Sequence, residues 1–218
     1  MNIIFIAAPA AGKGTQGNYL ERECGYYRIS TGDLLRKEIA KKTALGAKIE
    51  NIISKGELIS DKIINTLLIN ELKKINGKKF ILDGYPRTLN QAISLDDIID
   101  MDNTIAIYLD VDLTTAKKRS LGRLICPKCG ASYSKDIPEL MPKQNDICDE
   151  CHRKLIVRED DNEETFKKRF DTFLEETKPV LSYYRYKKKL YKVDARLEDD
   201  DIFENIKKIL ESVDVDKK

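Results

Sequence analysis

The sequence predicts an α/β fold, a parallel sheet with helices on both faces and two inserted lobes, and three observations carry that expectation. Short apolar segments alternate with longer helical patterns along the chain. A loop of small residues, Ala7-Ala8-Pro9-Ala10-Ala11-Gly12-Lys13-Gly14-Thr15-Gln16, follows the first apolar segment and places the sheet in the phosphate-loop NTPase-like class. Two C-x-x-C pairs lie in a stretch that breaks the alternation.

The elements follow in order. Residues 2–8, 79–82, 104–110 and 190–193 read as strands, because their apolar runs are short and bounded by turn residues. Ile63, Leu67, Leu68 and Leu72 fall on one helical face, and Ile202, Ile206, Ile209 and Leu210 on another; both are core-packing faces. Residues 30–59 hold short helical patterns broken at Gly46 and Gly56, and residues 122–161 hold the cysteines with Pro127, Pro138 and Pro142. Both stretches read as insertions. This divides the chain into a core of 1–29, 60–121 and 162–218, an insert 30–59 and a cysteine lobe 122–161, with a frayed tail at 214–218.

Composition bounds the function. The 218 residues are 41% hydrophobic and 35% charged, a balance that fits a folded globular chain. Lys and Arg total 39 against 37 Asp and Glu, so no global basic field marks a nucleic-acid partner. The apolar opening lacks the basic segment of a secretory signal, and no run is long enough to span a membrane. The expectation is a cytoplasmic protein without membrane or nucleic-acid partners. A reducing compartment argues against disulfides among the five cysteines.

The small-residue loop joins a strand to a helix beginning near Thr15. Backbone N–H groups of such a loop point at an anion, Lys13 reaches the outer phosphates, and the Thr15 hydroxyl faces them or Mg2+. Ala7 stands where the strict pattern has glycine.

Cys126-Pro-Lys-Cys129 and Cys148-Asp-Glu-Cys151 have the spacing of a four-thiolate zinc site. Four thiolates close the tetrahedral shell, so the site is structural; iron fits the same sulfur cage. A redox role for the pairs, or a zinc ribbon gripping nucleic acid, is the alternative. His152 is expected to be exposed and Cys24 to be a packing residue.

Four segments, in order, resemble signatures of the adenylate kinase family: the phosphate loop; Ile29-Ser30-Thr31-Gly32-Asp33-Leu34-Leu35-Arg36; Asp83-Gly84-Tyr85-Pro86-Arg87-Thr88 with Gln91; and Arg158-Glu159-Asp160-Asp161 with Arg169. The resemblance, to the long-form type with a zinc lid, covers nearly the whole chain. It implies reversible phosphoryl transfer from Mg-ATP to AMP, giving two ADP, by a monomer. Arg36 and Arg87 then hold the AMP phosphate, and Arg119, Arg123, Arg158 and Arg169 surround the transferred group. Ala10, Ala11, Gly12, Lys13, Gly14, Thr15, Arg119, Arg123, Ser132, Tyr133 and Leu197 fall at ATP positions. Thr31, Arg36, Gly56, Glu57, Leu58, Ile59, Gly84, Tyr85, Pro86, Arg87, Gln91, Arg158 and Arg169 fall at AMP positions, with the Gln91 amide offered to the base edge. Asp83 organises Mg2+ through water, and the cysteine lobe becomes the lid. Ala7, Ala10, Ala195 and Leu124 depart from the family pattern. A kinase for another nucleoside monophosphate, or a non-catalytic nucleotide-binding zinc protein, remains the alternative.

Overall fold

The computed structural model describes residues 1–75, 77–158 and 160–215. The chain runs β1 (Asn2–Ala7), α1 (Lys13–Cys24), β2 (Tyr27–Ser30), α2 (Thr31–Ala40), α3 (Ala44–Ser54), α4 (Asp61–Leu72), β3 (Phe80–Asp83) and α5 (Leu89–Leu95). It continues through β4 (Thr104–Asp110), α6 (Leu113–Leu121), β5 (Arg123–Ile125), β6 (Ser132–Ser134), α7 (Glu163–Thr172), α8 (Lys178–Tyr186), β7 (Leu190–Asp194) and α9 (Asp199–Val215). Glu159 and the last three residues of the expected tail lie outside the described residues.

β1 is central because its side chains alternate between two cores. Ile3 and Phe5 enter one apolar cluster, Ile4 and Ile6 the other, and all four are buried. A strand covered on both faces belongs inside a parallel sheet. β1 pairs in parallel with β3 on one side and β4 on the other, and the order is β2-β3-β1-β4-β7. The four expected strands are present within a residue at each end. β2 is the addition: four residues long and at the sheet edge, it has too little apolar alternation to be read from the sequence.

Ile202 and Ile206 of α9 are fully buried, with Ile209 and Leu210 packed beside them, as their spacing indicates. In α4 the face is turned slightly: Ile64, Leu68 and Glu71 are buried, while Ile63, Leu67 and Leu72 flank the core. Glu71 is accommodated by the Tyr27 hydroxyl, which donates to it at 2.6 Å, and by Lys74.

Gly46 is not a break. It lies in the first turn of α3, whose N-cap Thr43 accepts from the Gly46 N–H at 3.0 Å. A Cβ at Gly46 would sit 2.8 Å from the Glu38 carbonyl oxygen and 3.1 Å from Ile39 Cα, so glycine is what lets α3 approach α2. Gly46→Ala gains about 1 kcal/mol of helix propensity but forces backbone apart, an overpacking cost of about 1–3 kcal/mol. A lower urea midpoint is the expected result.

Candidate active site

β1 ends where α1 begins, and the turn between them is a cradle of small residues. Gly12 caps α1 at φ 88°, a left-handed conformation that glycine adopts without strain. α1 starts at Lys13, two residues earlier than expected. Ala10 has φ 59°, also left-handed, so alanine here carries about 1 kcal/mol or more of strain and does not stiffen the loop through a negative φ. The Lys13 ammonium folds back to donate to the Ala7 and Ala8 carbonyls at 3.2 and 3.1 Å. Withdrawal from water holds its pKa down to about 8, against the pull of Asp83 and with a push from Arg87 and Arg123.

A cleft of about 340 Å3 opens over this loop, and its lining brings together the six anticipated arginines from distant parts of the chain, Arg36, Arg87, Arg119, Arg123, Arg158 and Arg169, with Arg28 as a seventh. Five of the six anticipated arginines are held from behind. Arg36 pairs with Asp33, Arg169 with Asp160, and Arg123 with Asp161 through two parallel hydrogen bonds, one of them 2.7 Å. Arg119 Nη1 donates to the Ala195 carbonyl at 2.6 Å, and Arg87 Nε to the Gly84 carbonyl at 2.9 Å. Arg158 differs: its Nε–H is buried without a partner among the described residues, and its pKa falls to about 10 through desolvation first and then the nearby charges of Arg123 and Arg36. Desolvation, then Arg169 and Arg36, lower Arg87 likewise, with Asp83 opposing. A pocket that crowds guanidinium groups to the point of depressing them is built to receive a polyanion.

Gly84, at φ 83°, turns the chain out of β3; a Cβ there would lie 2.7 Å from Thr31 Oγ1. Thr31 donates to the Gly84 carbonyl at 3.0 Å, fastening α2 to this turn. Gln91 is buried with both amide ends engaged. Its Oε1 accepts from the Arg87 N–H at 2.7 Å, and its Nε2 donates to Asp61 at 2.7 Å. The amide therefore orders the turn carrying Arg87, and its second N–H and second lone pair remain for a base edge. A π-helical turn, Phe173–Thr177, completes the wall, and Thr177 donates to the Arg87 carbonyl at 2.8 Å.

Of the residues anticipated around the nucleotides, the loop residues Ala10, Ala11, Gly12, Lys13, Gly14 and Thr15 line the cleft. So do Thr31, Gly56, Glu57, Leu58, Ile59, Asp83, Gly84, Tyr85, Pro86, Gln91, Ser132 and Tyr133. Leu197 does not: it is 40% exposed and outside the lining. The Tyr133 hydroxyl is turned to the cysteine lobe, accepting from the Asp149 N–H at 2.9 Å, which leaves only the ring for a ligand. Arg28, Asp33, Asp61, Asp160 and Asp161 had no assigned role in the sequence. The signal for Arg28, a cation directly before the Ile29-Ser30-Thr31 segment, was present, whereas the carboxylates are legible only through their arginine and glutamine partners.

Cys126, Cys129, Cys148 and Cys151 meet, their sulfurs all within 4.8 Å of one another. Three of the separations are 3.3, 3.5 and 3.7 Å, close to the roughly 3.8 Å edge of a tetrahedron with Zn–S bonds of about 2.3 Å. β5 and β6, with Leu124 and Leu155, form the small body around them. His152 is exposed. Cys24 is exposed too, and not a packing residue, because it ends α1 just before Gly25 turns the chain.

The adenylate kinase family model matches residues 5–189. An adenylate kinase of Thermosipho melanesiensis is 41% identical over 214 residues, 96% of this chain and 99% of that protein. Those of Pseudothermotoga lettingae and a Hydrogenobaculum species are 40% and 38% identical, covering 98% and 96% of this chain and 99% and 100% of their own lengths. A match of this extent, on a parallel sheet with an arginine-lined phosphate loop, places the chain in the adenylate kinase family.

Proposed function

We propose that this phosphotransferase moves the terminal phosphoryl group of Mg-ATP onto AMP, giving two ADP, in reversible fashion. The convergence of six arginines and Lys13 on one cleft carries the reading, because joining two polyanions requires several negative charges to be neutralised together. Lys13 and the N–H groups of residues 10–15 take the ATP phosphates. Arg36 and Arg87 take the AMP phosphate; Arg119, Arg123, Arg158 and Arg169 lie around the transferred group, with the unpartnered Arg158 Nε–H supplying a free donor. Thr31, residues 56–59, residues 84–86 and Gln91 form the AMP pocket. No strong general base is needed, since the reaction is mainly positioning and charge stabilisation.

Asp83, buried at the end of β3 where it lines the cleft, and the Thr15 hydroxyl supply oxygen donors suited to a hard cation, so they fit Mg2+. When bound, Mg2+ neutralises phosphate charge. The four sulfurs fit Zn2+ as a structural ion bracing residues 122–161, the lid, over a core of 1–29, 60–121 and 162–218 and an AMP-binding insert of 30–59. Closing that lid excludes water from the reacting phosphates. One chain supplies all the residues of the proposed site, which suits a monomer. Among the described residues no helix is long and apolar enough to cross a membrane.

The test is a coupled assay of ADP formation with AMP, GMP, UMP and CMP as acceptors. AMP is expected to lead by at least about a hundredfold, since a buried hydrogen-bonding pocket rejects the wrong base by leaving its groups unpaired. Equal turnover with another monophosphate, or none with any, overturns the proposal.

The alanines of the phosphate loop bear on the same reading. Ala10→Gly relieves left-handed strain of about 1 kcal/mol but returns a similar entropy to the unfolded chain, so the two terms nearly cancel. The Ala7→Gly, Ala10→Gly double variant is expected to change ATP affinity or turnover by no more than about tenfold. Steady-state kinetics on both proteins measure it.

A further inference from the structure

Gly17 stands in the middle of α1, buried, where glycine is a poor helix former. Its neighbour explains it. A Cβ at Gly17 would lie 2.4 Å from Arg28 Cδ and 3.5 Å from its Cγ and Nε. The stem of Arg28 thus crosses the helix where only hydrogen fits. The guanidinium reaches under the start of α1, with Nη1 3.6 Å from the place a Gly14 Cβ would take.

There it meets three carboxylates: Glu21 at 3.4 Å, Asp33 at 3.7 Å and Asp83 at 3.5 Å. Glu21 and Asp33 are 39% and 40% exposed, so water screens those contacts. The Asp83 side chain is 12% exposed and that of Arg28 is 15%, which makes theirs the least screened pair of the three. The contact runs from Arg28 Nη1 to Asp83 Oδ2. Asp83 is also the strongest charge acting on Lys13, so Arg28 and Lys13 compete for one carboxylate.

We propose that Arg28 is a positioning residue for the nucleotide site, holding Asp83 off Lys13 and available to the cation of the bound nucleotide, and that Gly17 admits it. The inference rests on the proposed ATP site. With Arg28 gone, Asp83 swings toward Lys13, and two groups meant for the ligand satisfy each other instead.

The experiment uses the full chain and titrates ATP by calorimetry with and without Mg2+, beside AMP affinity and the unfolding midpoint. Arg28→Gln is expected to cut the Mg2+-dependent gain in ATP affinity by about threefold or more, with AMP affinity held within about twofold. Arg28→Lys, which keeps the charge without the fork, recovers part of the gain. Gly17→Ala reproduces the loss although it favours the helix, because its methyl evicts the arginine. The Gly17→Ala, Arg28→Gln double variant is no worse than Arg28→Gln alone within about twofold, since the two act on one contact. An unchanged Mg2+ gain in Arg28→Gln overturns the proposal, as does multiplication of the two single effects. Loss of ATP and AMP affinity together with a lowered unfolding midpoint assigns Arg28 a purely structural role and also overturns it. Wild-type protein that forms no ADP from AMP strikes the proposed function, while the Mg2+ ratio alone decides on Arg28.

Discussion

Arg87→Ala and Arg123→Ala are each expected to lower phosphoryl transfer at least about a hundredfold, because Arg87 is proposed to position the acceptor phosphate of AMP and Arg123 to neutralise the transferred group, and an arginine on a transferring phosphoryl group carries a rate factor near 10³ or more. Their effects on folding differ. Arg87 opens to the cleft, its side chain fastened among the described residues only by the Gly84 carbonyl, and burial, with crowding by Arg169 and Arg36, already works against its charge. Its removal relieves that crowding and leaves stability nearly unchanged. Arg123 is paired through Nε and Nη2 with Asp161, whose side chain is wholly buried. Truncating one partner of such a pair strands the other charge, a cost of about 3–5 kcal/mol. The sequence alone gives no reason to expect that cost. Adding Asp161→Asn to Arg123→Ala recovers much of the stability and none of the turnover. Coupled assays and scanning calorimetry on the same samples separate the two effects, and near-normal turnover in both arginine variants removes the proposed site.

The second large effect belongs to the cysteine lobe. Cys129→Ser with Cys148→Ser is expected to release about one metal ion per chain and to lower the melting temperature while the sheet domain stays folded. The lobe has a small core of its own, Leu124, Leu155 and two of the cysteines, so it cannot hold shape by apolar burial. Metal binding free energy serves instead as folding free energy for that body. Cys148 lies at its centre and is fully buried, so serine there also leaves a hydroxyl in a site shaped for a thiolate. Metal analysis and hydrogen exchange report on it. Unchanged protection across residues 122–161 after chelation counts against a structural ion.

The sequence by itself determined the class of sheet, four of its five strands, the phosphate loop and the four cysteines, because each rests on local order. Apolar runs between turn residues become buried strands, and Lys13 must follow Gly12 wherever the chain folds. The six arginines were legible as residues too, through the resemblance of short segments to one family. Tertiary structure alone decided the partners of the site residues: that Arg123 leans on Asp161, that Gln91 bridges the Arg87 N–H and Asp61, and that Tyr133 turns its hydroxyl to the cysteines. It also placed Leu197 outside the cleft and gave Ala10 its left-handed turn. The strongest instance is Gly17, an unremarked residue of a helical pattern until Arg28, eleven positions later, crosses it on the way to Asp83, another 55 positions on. Period and motif report contacts within a few residues of one another. A contact between a helix, an edge strand and the end of a third element depends on how the sheet is ordered, and no local pattern records it.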